Sequence, residues 1–205
     1  MRKLMTLVVL FITLVCSAKQ PSRWDEVKSV NFYGVDFSLA KVYGATEIPA
    51  DFYDAFIRIN DLFESEPDKY TVGKWIPKEI AKTNISVTYE RNRRIEPEKI
   101  RTFDNSYKLT DVQVATAVKK LPVKETAGTG MVVIAGLLDK PGKKAYYKVV
   151  FFDIATRQII LEGDTEGKSG GFGLRNYWAR SVYEALKSLK GDKFTLYMKE
   201  PGAKS

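Results

Sequence analysis

The stretch from Gly163 to Gly173, GDTEGKSGGFG, contains Gly-Lys-Ser, the residues a phosphate-binding loop uses to wrap backbone N–H groups around an anion. The Walker pattern needs one residue more between Gly163 and Gly167 than this chain has. It also needs a helix directly after the Ser, whereas the helical pattern here starts near Phe172 to Leu174. The dinucleotide fingerprint fails as well, because Gly171-Phe172-Gly173 would require glycine where Asn176 stands. A flexible strand-to-helix connection is the plainer reading. The residues that could hold a small anion or a partner's carboxylate at the helix N-terminus are Lys168, Ser169, Gly171, Gly173 and Arg175.

A second group is acidic. Asp153, Glu162, Asp164 and Glu166 surround the last expected hairpin, and carboxylate pairs carry out glycoside hydrolysis. Asp153 also begins a turn, where Asp is favoured for local hydrogen bonding, and the acids lack the spacing of an EF-hand. The chain has no histidine, which removes the commonest general base, the commonest transition-metal ligand and every Ser-His-Asp arrangement. Neither a metal site nor a cofactor is expected, and no residue is assigned a catalytic role.

The elements that must position these groups follow from periodicity. Val30 to Gly44 is rich in aromatic and β-branched residues and reads as a first strand. Phe52, Ala55, Phe56, Ile59, Leu62 and Phe63 recur at helical spacing, which predicts an amphipathic helix stopped before Pro67. Ile85 to Ile95 reads as a strand, with the basic cluster Tyr89 to Arg94 as its solvated end. A short helix follows, with Thr110 or Asp111 as its N-cap, Val114, Ala117, Val118 and Leu121 on one face, and Pro122 at its end.

GMVVIAGLLD, KAYYKVVFFDI and RQIILEGD are three strand-like runs on short connections, an antiparallel meander. Leu174, Tyr177, Trp178, Ser181, Val182, Ala185, Leu186 and Leu189 mark the strongest helix, and Lys193 to Lys199 reads as a last edge strand. The expected fold class is α+β: an antiparallel β-sheet, with its meander in the C-terminal half, packed by two or three amphipathic helices. The aromatic content serves mainly that packing. Trp24 and Trp75 fall outside the strong periods and are candidates for a binding face if exposed.

Residues 1–18 carry Arg2 and Lys3, an apolar run from Leu4 to Val15, and the small residues Cys16, Ser17 and Ala18. This is the pattern of a secretory signal peptide, leaving residues 19–205 as one domain. Cys16 is the only cysteine, so no internal disulfide is available. Cleavage after Ala18 fits the small residues, while lipidation at Cys16 would require Val15 where a smaller residue is usual. The mature chain is therefore expected to be periplasmic or secreted, with lipid anchoring through Cys16 as the alternative and no transmembrane segment. The 33 Lys and Arg of the full sequence against 25 Asp and Glu are spread along the chain, which fits an anionic surface component or an envelope protein as partner and not nucleic acid.

The segment VVFFDIATRQIILEGDTEGKSGGFGLRNYWARSVYEALKSL resembles the closing unit of cell-envelope domains akin to the curli-secretion lipoprotein and the TolB amino-terminal domain. Asp153, Thr156 and the glycines at 167, 170, 171 and 173 carry the resemblance. Composition is also similar to that of Lys- and Tyr-rich secreted envelope proteins of the Bacteroidetes. The resemblance implies an α+β sandwich whose work is assembly or binding, a non-enzymatic envelope module. The alternatives are a carboxylate-based hydrolase of envelope glycans and a small-anion-binding protein using the loop at 167–175.

Overall fold

The structure, a computed structural model, describes residues 22–202; the expected leader and Cys16 lie outside the described residues. The first aromatic run forms two strands, β1 (Ser29–Asp36) and β2 (Lys41–Tyr43), with a corner between them. Pro49 opens α1 (Pro49–Asn60), which buries Phe52, Ala55, Phe56 and Ile59, the face its sequence period predicts. Two single turns, α2 (Leu62–Ser65) and α3 (Pro67–Tyr70), lead to β3 (Glu79–Thr83).

The segment expected as a strand from Ile85 to Ile95 is instead a helix, α4 (Ser86–Asn92). Its buried face is largely polar, with Thr88 and Asn92 one helical turn apart and both inaccessible to solvent, so hydropathy conceals its period. β4 (Arg101–Thr102) and α5 (Asp111–Lys119) come next, and Thr110 and Gln113 close a capping box at the start of α5. The chain then runs through β5 (Thr129–Asp139), β6 (Lys144–Asp153), β7 (Ile159–Lys168), α6 (Leu174–Lys187) and α7 (Lys193–Tyr197). α7 replaces the expected last edge strand; only Lys199 pairs, with Glu162.

The sheet corrects the expected fold class. Its seven strands include the order β3-β1-β5-β2-β4, in which β1 runs parallel to both β3 and β5, and β2 parallel to both β5 and β4. Helices connect and cover these strands, an α/β arrangement and not an antiparallel sheet. β6 and β7 add antiparallel pairs on the other side of β5. Such hairpins are legible because partners joined by a short turn are neighbours in sequence. Parallel partners need a long crossover, so the pairing of β1 with β5 leaves no local signal. β1 lies along Gly130–Ile134 and β2 along Leu137–Asp139, so the two share one edge of β5.

One face of the sheet packs against α1 and α6, around Phe52, Phe56, Val133, Val149, Phe151, Trp178, Val182 and Leu186. The opposite face packs against α5, with Val114, Ala117 and Val118 in a cluster with Val132, Ile134, Val150 and Phe152. Each large side chain removed from water contributes about 1.5–3 kcal/mol, which makes α6 and its stripe a main source of stability. No helix among the described residues is long and apolar enough to cross a membrane.

Candidate functional site

Gly163, Gly167 and Lys168 belong to β7 itself and not to a loop. Strand alternation turns Leu161, Gly163, Thr165 and Gly167 toward α6 and α7, and Glu162, Asp164, Glu166 and Lys168 to the other face. A Cβ at Gly167 would come within 1.8 Å of the Ser181 carbonyl oxygen, and one at Gly163 within 2.5 Å of the Tyr197 carbonyl oxygen. The helices therefore sit directly on strand backbone. Gly167 of the Gly-Lys-Ser triplet is spent on close packing.

Of the remaining loop residues, Lys168 is exposed at the end of β7, opposite Lys144. The Ser169 N–H donates to the Lys143 carbonyl at 2.9 Å, and its hydroxyl is buried without a partner among the described residues. Gly171 and Gly173, at φ +110° and +77°, turn the chain into α6. Arg175 donates from Nε to Asn176 Oδ1 at 3.0 Å. Gly173 and Arg175 line a depression of about 280 Å³ together with Arg58 and the carboxylates of Glu47, Asp51 and Asp54. The structure thus brings Gly173 and Arg175 together at the α6 N-terminus and leaves Lys168, Ser169 and Gly171 outside that depression.

The acids divide in the same way. Asp153 Oδ1 accepts from the Thr156 N–H and from its hydroxyl, each at 2.7 Å. Those two bonds hold the Asp153 carboxyl below its ordinary value and tie the β6–β7 turn. Glu162, Asp164 and Glu166 project from one face of β7. Lys148, a side chain only 9% exposed, meets Asp164 at 3.1 Å, and Lys144 meets Glu166 at 3.3 Å. Burial pushes the Glu162 carboxyl up against the pull of Lys148, and its Oε2 has no partner among the described residues. No group of three or more His, Cys, Asp or Glu among the described residues could hold a metal ion.

A groove of about 570 Å³ is lined by Asp164, Thr165 and Glu166 of β7, by Tyr107 and Leu109 of the segment before α5, by Tyr146, and by Ser188 and Tyr197. β7 pairs only with β6, and the groove takes Asp164 and Glu166 from one face of β7 and Ser188 and Tyr197 from the helix side, so it reaches past the strand's outer edge. That edge is open. The N–H and C=O of Glu162 both point outward and bond Lys199, each at 2.8 Å. By the same alternation, those of Asp164 and Glu166 also point outward, and no backbone group among the described residues pairs with them.

Sequence reasoning did not single out Tyr107 and Tyr197, and it assigned Tyr146 with the other aromatics mainly to packing, because distant segments form the groove. Trp24 and Trp75 are packing residues. Trp24 lies 4.6 Å from Phe151 and 5.3 Å from Phe194 between ring centroids, and Trp75 stands edge-on to Tyr183 at 5.3 Å. No family model matches this chain, and neither a curated protein nor a solved structure matches it.

Proposed function

We propose that this chain is a non-enzymatic binding module of the cell envelope, and that it captures an extended segment of a partner protein along the free edge of β7. One observation carries the reading: outward-pointing backbone donors and acceptors at Asp164 and Glu166 open into a groove of about 570 Å³. An added strand would satisfy those groups, the mode of recognition in which main-chain bonds supply affinity and flanking pockets supply specificity. Asp164 and Glu166 favour basic side chains on one side of the incoming strand. Tyr197 and the helix layer favour apolar ones on the alternate positions. The signal-peptide pattern of residues 1–18 and the resemblance of the C-terminal segment to envelope domains support the cellular setting.

The test selects peptides from a displayed random library on the purified chain and compares two variants. Glu166→Pro removes an outward N–H without touching the β6 ladder, the one side on which an edge strand accepts proline. It is expected to abolish binding, whereas Glu166→Ala keeps the backbone donor and most of the affinity. Selected peptides that bind the Pro variant as well as the parent would refute strand capture.

A second reading rests on Glu162, whose raised carboxyl stands two residues from Asp164, the ion-pair partner of Lys148. Such a pair is the raw material of an acid-assisted glycan hydrolase. Turnover of envelope glycan fragments that disappears in Glu162→Gln would favour it over the binding module.

A further inference from the structure

In the gap between the end of β1 and the start of β2, beside the start of β4, the structure opens a second cavity of about 470 Å³. Five cations line it: Lys41, Arg91, Arg94, Lys99 and Lys120. They come from β2, α4 and the turn after it, the turn before β4, and the end of α5, so only the tertiary fold assembles them. The one carboxylate in the lining is Glu96, which Lys99 holds at 2.8 Å. Asp36 lies behind, fully buried, and fixes Arg91 through Nε at 2.8 Å, while Arg91 Nη2 reaches the Ser38 hydroxyl at 2.6 Å. Lys41 Nζ is held by the Lys99 carbonyl. Arg94 and Lys120 are exposed and form no ion pair with any other described residue.

The plain alternative is that Arg94 and Lys120 simply offset the negative ends of α4 and α5. That accounts for neither Lys41 nor Lys99, and it does not explain why all five converge on one concavity. Like charges gathered in a cleft repel one another and focus a positive potential there, which a multiply charged anion relieves. Arg91, already oriented by Asp36 and Ser38, would present its guanidinium ready-made for phosphate oxygens.

From this we infer that the cavity is a binding site for a phosphate-bearing ligand of at least two negative charges, either a free phosphorylated small molecule or an anionic lipid headgroup. This site is separate from the β7 edge, so it stands or falls independently of strand capture.

The probes are pyrophosphate and phosphatidylcholine vesicles containing phosphatidic acid, whose terminal phosphate can carry two charges, used with the purified chain at low ionic strength. Pyrophosphate is expected to bind saturably by calorimetry and to weaken as salt rises. The double variant Arg94→Gln, Lys120→Gln is expected to lower that affinity by about 10-fold or more, since each lost charged hydrogen bond is a substantial share of small-anion binding. Both positions are exposed, so the variant should keep its circular-dichroism spectrum. Lys168→Gln, at the glycine-rich connection, is expected to leave binding unchanged. Vesicle binding that the double variant also loses identifies a lipid headgroup; pyrophosphate binding without vesicle binding identifies a soluble phosphate. Absence of saturable pyrophosphate binding, or equal loss in Lys168→Gln, overturns the assignment.

Discussion

Asn60 and Asn92, on α1 and α4, each donate from Nδ2 to the same acceptor, the Val35 carbonyl, both at 2.9 Å. Asn60 Oδ1 also accepts from the Val35 N–H at 2.7 Å, and Asn92 Oδ1 from the Phe37 N–H at 2.8 Å. β1 slips out of register with β5 between Phe32 and Val35, and the two amides supply the bonds that the ladder loses there. Gly34 permits this twice over: its φ is +87°, and a Cβ would lie 2.4 Å from Asn60 Oδ1. Two helices are thereby locked to the strand corner that leads to the cationic cavity.

Asn60→Ala orphans the Val35 N–H and Asn92→Ala orphans the Phe37 N–H, each expected to cost about 1–3 kcal/mol in urea unfolding. Only the double variant strips the Val35 carbonyl of both donors. Its cost should therefore exceed the sum of the singles by about 1 kcal/mol. Strict additivity would show that the shared acceptor does not couple the helices.

Gly167→Ala drives a methyl into the α6 backbone and is expected to cost about 3 kcal/mol or more, with α6 forced off the sheet. Gly173→Ala meets nothing within 4 Å and bears only the backbone strain of φ +77° with ψ 150°, about 1–3 kcal/mol. Thermal melts of the two variants check the order. A reversed order would return Gly167 to a role other than helix packing.

Glu162 and Asp153, two of the perturbed carboxyls, predict opposite pH responses. Glu162 is raised by burial, so its contribution is present below its unfolded value and is lost as pH rises through its folded one. Glu162→Gln should remove that loss and leave stability flatter toward neutral pH. Asp153 is lowered by its Thr156 bonds, so its contribution is present above the unfolded value and is lost as pH falls through the folded one. Asp153→Asn should flatten the acid side instead. Urea midpoints measured on both sides of the carboxylate range distinguish these outcomes.

Arg91→Ala leaves Asp36 buried and unpaired, an expected loss of about 3–5 kcal/mol. Adding Asp36→Asn to that background should recover part of it, because the buried charge is then gone. A near-neutral Arg91→Ala would contradict the structural part this pair is given.

α1, the N-cap of α5, the β5–β6–β7 hairpins and the stripe of α6 were legible because each is a local pattern. A 3.6-residue or two-residue period, a cap or a tight turn is written in neighbouring residues. α4 was not legible because its inward face carries Thr88 and Asn92, whose burial makes sense only once the broken ladder of β1 is beside them. Gly167 reads as part of a connection instead of a strand for a related reason. A glycine demanded by an overlying helix reads the same, in sequence, as one that serves a flexible loop.

By itself, then, the sequence determined which segments bury an apolar face, and it withheld histidine and left a single cysteine, which narrows the chemistry available. Only the tertiary structure decided that β1 and β2 share one edge of β5, that the edge of β7 stays open beside Tyr197, and that five cations meet in one cavity. Parallel pairing and convergent side chains are relations between residues far apart in the chain. They arise from how whole layers bury their surfaces together, and no short window of sequence encodes that.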